Sequence, residues 1–485
     1  MINADLQWVS NVLGVAPSGV PNVDLTAPIG EISTDSRAIQ SGQVFLALKG
    51  PNFDGSKFVE QVKQKCAIAV IVERPVDTDI VQFVVEDTLI ALGKLGQAVA
   101  RAVDPKIIAI TGSVGKTSVK EMCAAIMSRK GKVLATDGNF NNQIGVPLTL
   151  LRLEKQHQYA VVELGANHIG EIAYTTGLTQ PHVAILNNVA EAHLEGFGDI
   201  FGVVQAKGEI FTGLQANGLA IVNGDSEHKS FWLSKLATQF NTTPGKVVEF
   251  GFGEEIQNAS NGITANNIQL NSAGCATFTM VYQGQSVDIE LTLPGQHNVK
   301  NALAAAAACI ELGATLEDVQ QGLTQMVMVQ GRVNLKPVSD RLLVIDDTYN
   351  ANVQSVKAAI DLLASYQGKQ VLVLGDMAEL GHESTKLHTE VGEYALNKGI
   401  DLLCSFGVLS QSASSVLQAE GKGTHFSSKQ ALTESINTYI KQQLELQPSS
   451  NVTVLVKGSR SAKMELVVEQ VITDNQQNNK AEPSC

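Results

Sequence analysis

The chain has 485 residues, 44% of them apolar, which at roughly 150 residues per domain points to about three cores. With only 17% charged residues it is not a solvated disordered chain. Its net charge of −13 argues against nucleic-acid binding, which needs basic faces to displace counterions.

Residues 1–84 mix short strands and turns, and Thr88 to Val103 reads as an amphipathic helix leading into a second domain. From Lys106 the pattern becomes strand then helix. KIIAIT, GKVLAT, YAVVEL and HVAILNN read as strands of a mostly parallel sheet with covered faces. Between about 245 and 293 the pattern changes, and ATFTMVY and SVDIELTL alternate as half-buried antiparallel strands do. NALAAAAACIELG reads as a packed helix closed by Gly313. After about 330 the alternation restarts through RLLVIDD, QVLVLGD, DLLCSFG and VTVLVKG, a second doubly wound α/β unit. The expected domains are 1–84, 85–329 and 330–485, with a polar, disordered tail from about 474.

Six dispersed cysteines with no CxxC pair predict neither a zinc site nor a disulfide framework. The segment MINADLQWVS lacks a basic region followed by an apolar run, and no apolar stretch nears the ~18 residues of a membrane span. A cytoplasmic protein without a membrane span is the expectation.

The sharpest motif is TGSVGKTS at Thr111–Ser118, where a strand turns through Gly112, Ser113, Val114 and Gly115 into a helix beginning at Lys116. Glycines let backbone amides approach phosphate oxygens, and the helix N-terminus favours anions. Lys116 can reach the outer phosphates, and the Thr117 hydroxyl can ligate Mg²⁺. The general pattern asks for a further glycine where Ile110 stands, so only GxxGK[ST] is present. Glu163 ends the strand YAVVEL and His193 follows HVAILNN, so both stand at the sheet edge that carries the phosphate loop. Both are therefore metal-ligand candidates. Lys207, in QAKGEIF, reads by itself as a helix-surface lysine.

These motifs, with NFNNQIGVPLTLL, VVELGANHIGEI, NNVAEAHLEGFG, AKGEIF, LPGQHNVKNALAA, Gly331-Arg332 and DDTYNAN, resemble the Mur ligases in order and spacing over nearly the whole chain. The shortened phosphate loop is that family's form. The resemblance implies three α/β domains: a nucleotide-sugar domain, a central P-loop parallel-sheet ATPase domain and a C-terminal Rossmann-like domain. It implies an ATP-dependent amide ligase of peptidoglycan precursor synthesis, with Gly112 to Ser118 on the ATP phosphates. Glu163, His193 and Thr117 resemble the family's metal-site residues, with two Mg²⁺ sites suspected. Lys207 stands where the family has a lysine carbamylated by CO₂, which would replace the surface reading and add a metal ligand. Asn298 and Asn301 resemble adenine contacts, and Arg332 and Asp347 contacts to phosphate and ribose. Tyr349, Asn350 and Asn142 are substrate candidates. Ser36, Arg37, Lys49 and Gly50 in STDSR and GQVFLALKGPNFDG resemble a uridine-nucleotide site. There Gln43 and Ser56 replace the family's usual acidic residue and histidine.

Within the family, the resemblance is most specific at three segments, DDTYNANVQSVKAAI, VLGDMAELGHESTKLH and LVKGSRSAKME, and that resemblance implies UDP-N-acetylmuramoyl-tripeptide as acceptor and D-Ala-D-Ala as the incoming amine. A monomer is implied as well. Another ligase of the superfamily, such as a folylpolyglutamate synthase, and a nucleotide-switched binding protein are the alternative readings.

Overall fold

In a computed structural model of the chain, residues 2–191, 194–326, 331–447 and 450–481 are described. Three principal sheets organise the chain in sequence order. The first has the strand order Pro17–Ser18, Val81–Val84, Ala69–Val72, Val44–Leu46, Ile32–Ser33, parallel except for its outermost pair.

The helix Thr88–Val103 joins this unit to the next. Asp87 caps it by accepting from the Leu89 and Ile90 amides at 2.7 and 3.0 Å. Its apolar face, with Leu92, Leu95 and Val99, packs into one core shared by the first and central sheets. Gly96 makes that contact close, because a Cβ there would lie 2.9 Å from the Pro147 carbonyl oxygen of the helix Gly145–Leu151.

The central sheet has nine strands, in the order Val133–Ala135, Tyr159–Glu163, Lys106–Thr111, Val183–Leu186, Gly218–Asn223, Gly245–Phe250, Gly262–Leu270, Cys275–Tyr282, Gln285–Pro294. Pairing is parallel through Gly262–Leu270 and antiparallel beyond it. The change of pattern expected near 245 therefore comes later, because Gly245–Phe250 extends the parallel ladder beside Gly218–Asn223. Strand order reverses at Lys106–Thr111, which has later strands on both sides, so its C-terminal end is the crevice where such sheets bind ligands. The Ala-rich helix is His297–Glu311, with Ala304 to Ala308 fully buried. Small side chains let it lie close to the phosphate-loop helix Lys116–Met127, where the Cys309 thiol donates to the Cys123 carbonyl.

The third sheet has the order Asn334–Ser339, Leu342–Asp347, Val452–Lys457, Lys369–Gly375, Leu402–Phe406, Gly423–Phe426, parallel except for the first pair. The last helix, Glu465–Ala481, continues into the segment expected to be disordered from 474. Polar side chains hold it there. Asn437 donates to Asp474 at 2.7 Å, and Asn475 donates back to Asn437 at 2.8 Å. Composition alone does not reveal such a cross-helix ladder.

Candidate active site

The phosphate loop leaves the end of strand Lys106–Thr111, and Gly115, at φ +79°, begins the helix Lys116–Met127. A Cβ on Gly115 would lie 2.7 Å from Asn301 Oδ1 and 2.8 Å from Asn187 Nδ2, so conformation and space both require glycine. Lys116 Nζ donates to the Gly112 carbonyl at 2.7 Å, folding the side chain over its own loop. Burial lowers the Lys116 pKa from the ordinary lysine value, Glu163 opposes the shift and Arg332 adds to it.

Buried Glu163 faces the helix start from the neighbouring strand Tyr159–Glu163. Its Oε2 accepts from the Thr117 hydroxyl at 2.9 Å, and its Oε1 from Asn141 Nδ2 at 2.8 Å. The Glu163 amide donates to Thr136 Oγ1 at 3.0 Å, and Lys120 Nζ donates to the Thr136 carbonyl at 2.7 Å. The carboxylate is thus held from both its head and its backbone.

Lys207 is 1% exposed, which overturns the helix-surface reading of its sequence context. Its helix, Ile200–Gly208, is fastened by Trp232, whose indole N–H donates to the Val204 carbonyl at 3.0 Å. No carboxylate pairs with the Lys207 amine among the described residues. Burial, and then the charge of Lys116, push that amine well below the ordinary lysine range. His193 lies outside the described residues.

A ladder of asparagines closes the far side of the loop. Asn223 Nδ2 donates to the Asn187 carbonyl at 2.9 Å, and Asn187 Nδ2 donates to Asn301 Oδ1 at 2.9 Å. Asn301 Nδ2 then donates to Asn298 Oδ1 at 2.9 Å, and Asn298 Nδ2 to the Pro294 carbonyl at 2.8 Å. Asn188 Oδ1 accepts from the Val114 amide at 2.8 Å, and the Ser113 hydroxyl donates to the Ala190 carbonyl at 3.0 Å. Asn141, Asn187 and Asn188 were missed as site residues. The only signal was their place in NFNNQIG and NNVAEAH, just beyond strands beside the phosphate loop.

The third sheet supplies the opposite wall. The Arg332 guanidinium lies 4.2 Å over the Tyr349 ring, and its Nε is buried without a partner. Asp347 takes Lys457 Nζ at 2.5 Å, and Lys457 also donates to the Asn350 carbonyl at 3.0 Å. Together the two walls enclose a cleft of about 870 Å³. Ser113 to Ser118, Glu163, Lys207, Asn298, Asn301, Arg332, Asp347, Tyr349 and Asn350 all line it.

The remaining candidates lie elsewhere. Asn142 turns back on its own loop, accepting from the Ile144 and Gly145 amides at 3.1 and 2.8 Å, while its neighbour Asn141 faces the cleft. In the first unit Arg37 is exposed and paired with Asp35, and Lys49 pairs with Glu73 at 3.1 Å. Gly50 pairs with Phe53 in a short hairpin, and Ser36 is buried with its carbonyl accepting from Lys65 Nζ at 3.0 Å. Asp54 caps a turn, accepting from the Ser56 amide and hydroxyl, and Gln43 Oε1 accepts from the Gln40 amide.

Three family models match: the Mur ligase middle domain over 110–309, the Mur ligase glutamate ligase domain over 331–460, and the Mur ligase family catalytic domain over 28–130. The UDP-N-acetylmuramoyl-tripeptide–D-alanyl-D-alanine ligase of Escherichia coli is 46% identical, over 96% of this chain and 98% of that one. A crystal structure of MurF from Acinetobacter baumannii superposes with a TM-score of 0.88 at 36% identity, covering 97% of this chain and 99% of that one. MurF of Thermotoga maritima in complex with ADP superposes at 0.78 with 27% identity, covering 92% and 98%. A cleft built on a shortened phosphate loop, faced by a third-domain arginine and spanned by these matches, places the protein: the chain belongs to the Mur ligase family.

Proposed function

We infer that the protein is an ATP-dependent ligase that joins D-alanyl-D-alanine to the peptide carboxylate of UDP-N-acetylmuramoyl-tripeptide. The products are UDP-N-acetylmuramoyl-pentapeptide, ADP and phosphate. The observation that carries this reading is that the phosphate loop and all three segments pointing to a dipeptide amine converge on one cleft.

A carboxylate in water is a poor electrophile, so the reaction runs in two steps. A carboxylate oxygen attacks the γ-phosphorus of ATP, the β–γ bridging P–O bond breaks, and ADP leaves with the bonding pair. The neutral amine then attacks the acyl carbon, loses a proton, and the C–O bond to phosphate breaks. The first step presses like charges together at a cost of about 4 kcal/mol at ~4 Å and an effective dielectric of 20. Lys116 and Arg332, both beside the cleft, offset that repulsion. Asn298 and Asn301 bound the adenine end, Asp347 the ribose, and Ser36, Arg37, Lys49 and Gly50 the uridine end of the acceptor.

The family's chemistry implies magnesium. The Thr117 hydroxyl and Glu163 carboxylate are hard oxygen donors already aimed at one another, and they fit that ion. Bound there, magnesium supplies charge neutralisation between the anions. The Lys207 amine, buried without a carboxylate partner among the described residues and with its pKa pushed well below the ordinary lysine range, can add to CO₂, lose a proton and become a carbamate. That anion gives a second metal position its oxygen donor.

The test offers D-Ala-D-Ala, D-alanine, glutamate and diaminopimelate separately with ATP, Mg²⁺ and the UDP-tripeptide. Phosphate release with D-Ala-D-Ala and a UDP-pentapeptide by mass are expected. A parallel reaction offers glutamate with a folate acceptor; release there, and none with D-Ala-D-Ala on the UDP-tripeptide, would overturn the reading.

A further inference from the structure

We propose that Arg460 and Glu465 read the C-terminal half of the incoming dipeptide, Arg460 holding its carboxylate and Glu465 accepting its amide N–H. This rests on the ligase reading above.

Elimination among the charged groups lining the cleft leads to this pair. Of the cations, Lys116 and Arg332 stand by the phosphate loop, and Lys207 is buried. Lys457 is neutralised by Asp347. Arg460 is different: its side chain is 67% exposed, and among the described residues only Nη1 is engaged, with Glu465 Oε1 at 3.1 Å. Its remaining N–H groups form the planar fork that suits a carboxylate.

Of the anions, Glu163 is taken by Thr117 and Asn141, Asp347 by Lys457, Asp346 by Thr348, and Glu121 by Lys120, and Glu379 is engaged as well. Glu465 keeps one oxygen, Oε2, buried and without any donor. A buried acceptor left open calls for a donor, and because the Glu465 side chain is 28% exposed on the cleft wall, a small turn of its carboxylate presents that oxygen to a ligand there. Ser459 and Ser461 flank the pair on the same wall. The loop beneath is fixed by the Ser459 amide donating to the Asp376 carbonyl at 2.9 Å.

The chemistry of the dipeptide matches this spacing. In D-Ala-D-Ala the amide N–H and the carboxylate are separated by a single Cα, as an acceptor beside a guanidinium requires. The reacting amine then lies one residue further on, about 3.8 Å along the chain, clear of both groups. A single amino acid is read differently. Its only nitrogen would be drawn onto Glu465 and kept from the acyl carbon. The pair therefore acts as a ruler that selects a dipeptide.

The experiment compares D-alanyl-D-alanine with D-alanyl-D-lactate, in which an ester oxygen replaces the amide N–H, in wild type, Glu465→Gln, Arg460→Met and Arg460→Lys. Glu465→Gln is expected to lower the peptide-to-ester ratio of kcat/KM at least tenfold, since its amide can donate to the ester, with KM for ATP unchanged. Arg460→Met is expected to raise KM for both compounds at least tenfold, with Arg460→Lys recovering part of it. A ratio in Glu465→Gln within twofold of wild type would overturn the Glu465 assignment. An unchanged dipeptide KM in Arg460→Met would overturn that of Arg460. Wild type inactive with D-Ala-D-Ala would instead overturn the ligase reading itself, and a lowered melting temperature would mark a variant whose fold, not its recognition, had changed.

Discussion

The two walls of the cleft are built on opposite plans. On the central-sheet side nearly every polar group is already engaged: Lys116 with Gly112, Glu163 with Thr117 and Asn141, and the asparagines with one another. On the third-sheet side groups are left open, with Arg332 Nε and Glu465 Oε2 unpartnered and Arg460 facing solvent. A preorganised wall suits a nucleotide whose phosphates must be held without reorganisation. An open wall suits an element that completes its contacts only when the substrates arrive. Lys207 is the exception on the engaged side, a buried amine without a counter-ion among the described residues.

The comparison breaks most visibly at Lys116. Lys116→Ala is expected to lower kcat about 10³-fold, the upper range for removing one preorganised charge-stabilising donor, measured by phosphate release at saturating substrates. Next comes Lys207→Ala, with a fall of about 10²-fold by the same reasoning, partly restored by added short carboxylic acids. Unchanged activity would remove Lys207 from the mechanism. Lys207→Met should be inactive and yet more stable, with a Tm rise of about 2–4 °C, because an apolar side chain replaces a desolvated amine.

The pH dependence of that gain follows from the lowered pKa. In protein kept free of CO₂, where Lys207 stays an amine, the unfolded chain holds a proton on Lys207 that the folded chain does not between the folded value and the ordinary 10.5. Stability therefore rises with pH through this window in the wild type, and calorimetry should find a shallower rise in Lys207→Met. Asn187→Ala cuts the asparagine ladder, and an expected loss of about 1–3 kcal/mol should appear in denaturant unfolding, with KM for ATP raised. The smallest effect falls in the first unit. Arg37→Ala is expected to change only KM for the UDP-tripeptide, by about threefold, the worth of an exposed ionic contact.

What could be read in advance followed the range of the interactions. The phosphate loop is a local object, a strand, a glycine turn and a helix start, and its residues meet in space because they are adjacent in sequence. The strands of the third sheet were equally plain, because parallel strands covered on both faces read as unbroken apolar runs. The local context of Lys207 did not show its burial, and only the family resemblance spoke against a surface lysine, since burial depends on Trp232 fastening the helix from outside QAKGEIF. The choice between Asn141 and Asn142 was not legible either, because adjacent identical side chains point apart and only the turn geometry decides which one meets Glu163. The helical stretch at Asp474 and Asn475 escaped composition for the same reason: its partners lie on another helix.

The central claim is that this cleft activates a carboxylate by phosphorylating it. The most direct measurement uses UDP-N-acetylmuramoyl-tripeptide with ¹⁸O in its terminal carboxylate and follows the label during ligation to D-Ala-D-Ala. The account predicts one ¹⁸O in each phosphate released, because the acyl oxygen leaves with phosphorus. Unlabelled phosphate beside a normal yield of pentapeptide would contradict it.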